Sequence, residues 1–155
     1  MMSQKVQYTW QHFNEDVQII LKKIEDNNWD IRGIYAIPNG GLVLGVVLAN
    51  TLEVPLYLNF DEAIEGVRNN ILKEGELMDE NTYEHLLIVD DISDSGKTLI
   101  KLPNICEVRT VTLFIKDGTQ FIPNFYCRRA PDAQWVVFCW EPFNKDTKRD
   151  DTVVI

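Results

Sequence analysis

The sequence has little cysteine, and its cysteines are far apart. The 155 residues include three, Cys106, Cys127 and Cys139, and none of them forms a C-x-x-C pair. An odd number of separated cysteines argues against a disulfide framework and against a zinc cluster. We therefore expect free, buried thiols in a reducing compartment.

Long hydrophobic runs are also missing. The longest apolar stretch, residues 42–49, is interrupted by Gly45 and is far shorter than the roughly 20 residues that cross a bilayer. Residues 1–8 are mostly polar and contain no apolar core of a signal peptide. These features predict a soluble, cytoplasmic protein without a membrane partner.

Basic residues are outnumbered, and glycine and proline are sparse. Fifteen Lys and Arg against 24 Asp and Glu give a net charge of −9, which argues against a broad basic face for nucleic acid. Eight Gly, six Pro and 45% hydrophobic residues are typical of a globular protein. The length predicts a single domain over residues 1–155.

The apolar residues alternate between helix-like and strand-like patterns. A spacing of three and four residues between positions 10 and 24 predicts a helix with Thr9 as its N-cap, and residues 42–52 predict a second helix. Strands are predicted at short apolar runs, which are residues 31–37, 55–58, 86–89, 108–115 and 135–140. This alternation predicts an α/β fold, an open and mostly parallel sheet flanked by helices.

Two segments lack a clear pattern. Residues 59–83 are polar, acidic and aperiodic, which predicts a mobile functional loop or a small structural excursion. Residues 116–129 contain glycine and proline and are expected to be irregular. Pro103 limits the helix expected after residue 98 to a short one.

The most informative segment follows the apolar run at residues 86–89. It reads Asp90-Asp91-Ile92-Ser93-Asp94-Ser95-Gly96-Lys97-Thr98. Ligands of open parallel sheets bind beyond the carboxyl ends of the strands, so the segment stands where a site is expected. Its small and hydroxyl-bearing residues at a helix start predict backbone N–H donors for a phosphate. Asp90 and Asp91 would accept hydrogen bonds from sugar hydroxyls, and together these groups indicate a ribose 5-phosphate.

Three other interpretations of this segment explain less of it. A nucleotide-binding P-loop requires glycine five residues before Gly96, where Asp91 stands. A phosphoacceptor domain requires an acidic pair after the first strand, and residues 34–37 contain none. An acidic turn with Asp94 or Ser95 as helix N-cap explains single residues but not the whole group.

Residues 87–98 resemble the signature of type I phosphoribosyltransferases, in which an apolar strand leads into Asp-Asp-x-x-Asp-[Ser/Thr]-Gly-x-Thr. The resemblance extends to residues 37–42, to Lys116 and to residues 135–141 (Trp-Val-Val-Phe-Cys-Trp-Glu), which are similar to the hypoxanthine/xanthine-guanine branch. It implies the type I phosphoribosyltransferase fold, with a core at about residues 31–115. A small hood would comprise about residues 116–141 and the N-terminal segment.

The resemblance implies how phosphoribosyl pyrophosphate (PRPP) would be bound. Asp90 and Asp91 would hold the ribose hydroxyls. The 5-phosphate would be bound by Asp94, Ser95, Gly96, Lys97 and Thr98. The pyrophosphate loop would comprise Asn39, Gly40 and Gly41. Asn39 stands where relatives commonly carry Arg or Lys, which implies weaker binding of pyrophosphate.

It also implies a base site. Asp94 would lie near N7 of a purine and act in proton transfer. Lys116 would donate to O6 and so select 6-oxopurines over adenine. Trp135 would stack on the base, and the backbone of Val136 would contact its edge.

A metal and a closing segment are implied as well. Mg²⁺ would neutralise the leaving pyrophosphate near Asp90, Asp91 and Glu141, partly through water and substrate oxygens. Residues 59–83 would exclude water by closing over the site. They lack a Ser-Tyr pair, and Phe60 would take over the packing of the tyrosine.

One leading hypothesis and two alternatives follow. The leading one is transfer of 5-phosphoribose from PRPP to hypoxanthine, guanine or xanthine, giving a nucleoside 5′-monophosphate and pyrophosphate. Asn39 and the unmatched loop motivate the first alternative, a catalytically weak phosphoribosyl-binding regulatory module. The second is a phosphoribosyltransferase for another base. Relatives of this size commonly form dimers or tetramers, so we expect a homo-oligomer.

Overall fold

The computed structural model describes residues 4–75 and 81–141 and contains two parallel sheets. The elements in chain order are β1 (Gln4–Tyr8), α1 (Trp10–Asp26), β2 (Gly33–Ala36), α2 (Leu42–Leu52), β3 (Leu56–Tyr57), α3 (Phe60–Lys73), a 3₁₀ turn (Thr82–His85), β4 (Leu86–Ser93), α4 (Lys97–Ile100), β5 (Arg109–Lys116), β6 (Phe125–Ala130) and β7 (Gln134–Phe138). None of the helices within the described ranges is long and apolar enough to span a membrane.

The larger sheet has five strands in the order β3-β2-β4-β5-β6, and every neighbouring pair is parallel. The chain passes from β2 to β3 on one side and then to β4 on the other, so the strand order reverses between β2 and β4. Ala36 pairs with Val89, which brings the segments after β2 and β4 together. Such a reversal is where open α/β sheets bind ligands. The predicted α/β fold with a mostly parallel sheet is confirmed.

Helix α1 begins where its sequence predicts. The Oγ1 of Thr9 accepts a hydrogen bond from the backbone N–H of His12 at 3.2 Å, which satisfies one of the free donors at the helix start. Phe13, Val17 and Ile20 face the core. The predicted helix and its N-cap are confirmed.

The prediction of a patternless loop is wrong over residues 60–73, which form α3. The side chain of Asn59 accepts a hydrogen bond from the backbone N–H of Glu62 at 3.1 Å and caps the helix. Its buried side chains are Ala63, Ile64, Val67 and Ile71. The sequence hides this stripe because acidic residues and Gly66 interrupt it. Gly66 is needed by packing, since a Cβ there would overlap the ring of Tyr57. Residues 76–80 of the predicted loop lie outside the described residues.

Strands β1 and β7 pair with each other in a separate two-stranded sheet, with Lys5 opposite Trp135 and Val6 opposite Val136. Strand β6 belongs to the larger sheet, although it falls within the range predicted for the hood. The irregular stretch predicted at residues 116–129 is therefore wrong over β6. Its edge position and its arginines break the apolar run that marks the other strands.

Cys106, Cys127 and Cys139 form no disulfide with one another. Cys127 and Cys139 are half-buried, whereas Cys106 is exposed, so the expected burial is wrong for Cys106. Its position between α4 and β5 places it in an exposed turn.

Candidate functional site

Strand β4 carries two acids into the reversal point. It continues through Asp90 and Asp91 to Ser93, so the predicted end of the strand at Val89 is wrong. Pairing continues as well, since Asp90 lies opposite Thr112 on β5. The backbone N–H of Asp91 donates to Oδ1 of Asp90 at 2.9 Å. Both acids therefore lie within the strand, and Asp90 is held there by its pairing with β5.

The charges of Asp90 and Asp91 lack compensation within the described part of the chain, where no Lys, Arg or His forms an ion pair with them. Burial raises the pKa of Asp90 well above its usual range, and the charge of Asp91 adds to the rise. Burial also raises the pKa of Asp91, and the charge of Glu141 adds to it. Acids perturbed in this way are typical of functional sites. A bound cation or hydroxyl donors would supply what the pair lacks.

Residues 94–98 comprise a tight turn (residues 94–96) and the first two residues of α4, and the turn has free backbone donors. Gly96 has φ = +80° and precedes α4, so the cap position falls on Gly96 and not on Asp94 or Ser95, as the alternative interpretation of an acidic turn would require. The backbone N–H of Lys97 donates to Oγ of Ser95 at 3.3 Å, whereas the N–H groups of Ser95 and Gly96 donate to no described residue. A cavity of about 90 Å³ lies at this turn, and its lining includes Asp90, Asp94, Ser95, Gly96 and Thr98. The free donors and the size suit a phosphate group.

A second segment, residues 119–121, supports the turn. Oγ of Ser93 donates to the carbonyl of Phe121 at 2.7 Å and lies 2.9 Å from Oγ1 of Thr119. The backbone N–H of Gln120 donates to the carbonyl of Ser95 at 2.9 Å. Sequence reasoning missed this support, because no spacing connects Ser93 with residues 119–121.

Gly96 is required at this turn by its conformation and by its neighbours. We expect Gly96→Ala to lower the free energy of unfolding by about 2–4 kcal/mol, because φ is positive and because overpacking adds to the cost. The added Cβ would lie 2.5 Å from the backbone nitrogen of Phe121. Thermal unfolding measures the loss.

Gly75→Ala is the matched control. Gly75 has φ = +77° and open space around its Cβ position, so alanine there meets the conformational cost without the crowding. We expect a loss of only about 1 kcal/mol. Equal losses in the two variants would contradict the tight packing of the turn on residues 119–121.

The loop after β2 lies against the acids. A Cβ at Gly40 would lie 2.5 Å from both carboxylate oxygens of Asp91, and a Cβ at Gly41 would overlap the carbonyl oxygen of Val89. The two glycines therefore allow the loop to approach β4. The Pro38–Asn39 peptide bond is cis, and the N–H groups of Asn39 and Gly40 donate to no described residue. The loop thus offers backbone donors beside Asp91, and Asn39 contributes no positive charge.

The residues predicted to bind a base lie on both sheets. Lys116 ends β5 and is only 6% exposed. Its Nζ donates to the carbonyls of Pro131 at 3.3 Å and Asp132 at 3.4 Å, and to that of Gln134. Trp135 is the second residue of β7, directly after Gln134. It is 57% exposed, which leaves its ring available for stacking. Lys116 and Trp135 are therefore brought to the same loop, between β6 and β7.

Glu141 lies beyond β7, in a turn closed by its own contacts. Its backbone N–H donates to the carbonyl of Phe138 at 3.0 Å, and its Oε1 accepts from the N–H of Phe138 at 3.3 Å. Over residues 4–75 and 81–141, no group of three His, Cys, Asp or Glu side chains is arranged to hold a metal. The oxygens of Asp90 and Asp91 fit the chemistry of Mg²⁺, which keeps several waters and substrate oxygens as ligands. The metal set of Asp90, Asp91 and Glu141 stays a prediction.

Comparison with known proteins gives consistent matches. The family described as phosphoribosyl transferase domain matches residues 4–146. The xanthine-guanine phosphoribosyltransferase of Desulfotalea psychrophila is 22% identical over 139 residues, which cover 86% of this chain and 84% of that protein. A purine phosphoribosyltransferase from Pyrococcus horikoshii is similar in structure, with a TM-score of 0.65, 24% identity, and coverage of 93% of this chain and 99% of that one. The Helicobacter pylori xanthine-guanine-hypoxanthine phosphoribosyltransferase has a TM-score of 0.67 and 19% identity, with coverage of 89% of this chain and 93% of that one. At these identities the solved structures show a shared fold.

Proposed function

The chain belongs to the phosphoribosyl transferase domain family, and we propose that it transfers 5-phosphoribose from PRPP to a 6-oxopurine. The products are a nucleoside 5′-monophosphate and pyrophosphate. The observation that carries this proposal is the juxtaposition at the reversal point of the sheet. There the acids of β4 adjoin the turn with free N–H donors at residues 94–98 and the glycine loop at residues 38–41.

The turn at residues 94–98 and the loop at residues 38–41 support binding of the two ends of PRPP. The turn would hold the 5-phosphate through its backbone N–H groups and hydroxyls. The loop would hold the pyrophosphate with the N–H groups of Asn39 and Gly40. Asp90 and Asp91, which lie between them in the site, would accept hydrogen bonds from the ribose hydroxyls. When bound with the substrate, Mg²⁺ would neutralise charge on the departing pyrophosphate.

The proposed reaction replaces one bond at the anomeric carbon by another. The bond to the pyrophosphate oxygen breaks, and N9 of the base forms the new bond to the same carbon. The base loses one proton, and Asp94 would accept it from N7. A carboxylate suits this step because general base catalysis requires an acceptor within hydrogen-bond reach of the proton. Asp94 is exposed and lines the cavity at the turn, which supports its access to substrate.

Lys116 and Trp135 support a 6-oxopurine as the acceptor. The N–H groups of Lys116 donate to the carbonyls of Pro131, Asp132 and Gln134, so binding a base would require one of these hydrogen bonds to be released. An ammonium group donates hydrogen bonds and accepts none, so the released N–H would favour an oxygen over the amino group of adenine at the purine 6-position. The names of the similar proteins, which include xanthine-guanine and purine phosphoribosyltransferases, agree with this class of base. We also propose a homo-oligomer in the cytoplasm. Helix α2 supports self-association because it is apolar around most of its surface and Val46 is 43% exposed.

A panel of bases tests the proposal. The protein is incubated with Mg²⁺, PRPP and, separately, hypoxanthine, guanine, xanthine, adenine and orotate, and nucleotide is measured by chromatography. We expect nucleotide from at least one 6-oxopurine and little from adenine or orotate. Protein that binds PRPP but makes no nucleotide from any base would refute the proposal and favour a regulatory module. Asn39 gives the loop at residues 38–41 no positively charged side chain, and this observation motivates the second candidate, the regulatory module.

Replacing Lys116 should relax the choice of base. We expect Lys116→Gln to raise the KM for the preferred 6-oxopurine by about 10- to 100-fold, because a charge-assisted hydrogen bond is lost. The preference over adenine should narrow by a similar factor, while the KM for PRPP stays nearly constant. Steady-state kinetics with each base measures both quantities.

Lys22→Gln is the matched control, since Lys22 is on the surface of α1 with its side chain 76% exposed. Both variants must unfold cooperatively before their kinetics are compared. An unchanged preference in folded Lys116→Gln would point to another base or another selecting residue.

A further inference from the structure

The proposed base site is divided between two sheets. Lys116 ends β5 of the five-stranded sheet, whereas Trp135 and Val136 lie on β7 of the two-stranded sheet. A purine bound by all three depends on how the two sheets are held relative to each other. The contacts that join the two sheets should therefore affect the affinity for the base.

Asp16 provides such a contact from outside the site. It lies on α1, and its side chain is only 2% exposed. Its Oδ2 accepts a hydrogen bond from the hydroxyl of Tyr8 on β1 at 2.7 Å. Arg128 on β6 donates from Nε to Oδ2 at 2.8 Å and from Nη2 to Oδ1 at 3.2 Å. One buried carboxylate thus joins a residue of the smaller sheet to a residue of the larger one.

The Tyr8 ring extends this contact toward both halves of the base site. It is fully buried, and its centroid lies 5.4 Å from that of Phe114 and 5.4 Å from that of Phe138. Phe114 precedes Lys116 by two residues on β5, and Phe138 follows Val136 by two on β7. Side chains two residues apart on a strand share a face. Tyr8 therefore packs one position away from each half of the site.

The chemistry of the cluster keeps its geometry fixed. A buried carboxylate needs compensation, and a guanidinium that donates from two nitrogens provides both charge and direction. Burial raises the pKa of the Tyr8 phenol, and its hydrogen bond to Asp16 adds to the rise, so the phenol remains a donor. The hydrogen bond to Asp16 likewise raises the pKa of Arg128. Both partners keep their protons at neutral pH.

We propose that Asp16 is a positioning residue for base binding, acting with Tyr8 and Arg128 to set the separation of the two halves of the base site. This inference rests on the proposed function. The turn that would hold the 5-phosphate lies at the end of β4 and makes none of these contacts. Loss of the Asp16 cluster should therefore weaken binding of the base and spare binding of PRPP.

Two substitutions test this role by steady-state kinetics. We expect Asp16→Asn to raise the KM for the base by about tenfold or more, because the half-buried guanidinium of Arg128 loses its charged acceptor. Tyr8→Phe removes one hydrogen bond from a neutral donor but leaves the pairing of Asp16 with Arg128 in place, so it should raise the KM for the base by about two- to tenfold. In both variants the KM for PRPP should stay within about twofold of the wild-type value, the scale of a surface substitution.

Asp26→Asn is the matched control, since Asp26 lies on the same helix in an exposed pair with Lys22. It should leave both KM values unchanged. Equal increases in the two KM values of Asp16→Asn would overturn the proposal, because they indicate general loosening of the fold. An unchanged KM for the base in folded Asp16→Asn would overturn it as well.

Amide hydrogen exchange separates this inference from the proposed function. We expect Asp16→Asn to accelerate exchange in β1 and β7 by about tenfold or more, with the rates in β4 unchanged, because the link between the sheets is weakened. Uniform acceleration, or none, would overturn the role of Asp16. Hydrogen exchange is measured without turnover. A wild-type protein that makes no nucleotide would therefore refute the proposed function, while the exchange rates would still show whether Asp16 links the two sheets.

Discussion

Asp94→Asn is expected to lower kcat by about 10²- to 10⁴-fold, the range lost when a general base is removed. The affinity for PRPP should change little, because the turn is proposed to bind phosphate through its backbone. The fold should be unaffected, since Asp94 is exposed and its side chain makes no hydrogen bond with another described residue. Single-turnover rates together with PRPP titration by calorimetry measure the two effects separately.

The comparison with Asp26→Asn controls for loss of one negative charge from the chain. That variant should retain wild-type kcat, because Asp26 lies on the surface of α1. Equal losses of turnover and of PRPP affinity in Asp94→Asn would contradict proton transfer as its role. They would indicate a residue that only shapes the phosphate turn.

The elements that could be predicted from the sequence are those in which burial dominates the pattern. The apolar residues 42–52, which follow the break at residues 38–41, predict a helix, and α2 has these bounds. The apolar run at residues 86–89 likewise marked β4, but not its continuation to Ser93. That continuation depends on pairing of the β4 backbone with β5. Backbone hydrogen bonds form whether the side chains are polar or apolar, so the acids at positions 90 and 91 do not end the strand.

The elements that were missed depend on packing between distant segments. Helix α3 is hidden by Gly66, a poor helix former whose place is explained only by the Tyr57 ring against it. Strand β6 is an edge strand, so its exposed positions tolerate arginine and the apolar run is lost. The local sequence pattern shows neither that Tyr57 packs against Gly66 nor that β6 lies at the edge of the sheet.

The same distinction holds for the site. The resemblance identified the turn at residues 94–98 because its residues are contiguous in the chain. The support from residues 119–121 and the contact between Asp16 and Arg128 could not be found in this way. Asp16 and Arg128 are 112 positions apart, and no local spacing relates them.

Asp90→Asn is expected to change stability and substrate binding in opposite directions. At pH 8 the ligand-free variant should be more stable than the wild type by about 1–2 kcal/mol, as found when strained active-site groups are replaced. This corresponds to a rise in Tm of about 2–8 °C for a domain of this size. The affinity for PRPP with Mg²⁺ should fall by about 10- to 100-fold, because the proposed hydrogen bonds from the ribose hydroxyls would lose a charged acceptor.

The gain in stability should depend on pH. In the folded protein the pKa of Asp90 is raised by burial and by Asp91, so between its unfolded value of about 4 and its folded value the native state binds more protons than the unfolded state. Wild-type stability therefore falls as the pH rises through this interval. Asparagine does not titrate, and its Oδ1 can still accept the hydrogen bond from the N–H of Asp91. The advantage of the variant should be small near pH 4 and largest at pH 8.

Thermal unfolding at pH 5 and pH 8, with Asp26→Asn as the exposed control, measures this difference. A gain of equal size at both values would show that the substitution acts through packing or through the unfolded chain instead of the charge on Asp90. A variant that is less stable than the wild type at pH 8 would mean that Asp90 has a stabilising partner in the ligand-free fold. Asp90 would then serve the fold and not the substrate. The proposed role of Asp90 in binding substrate hydroxyls requires that Asp90→Asn raise stability and lower PRPP affinity, and this result would contradict it.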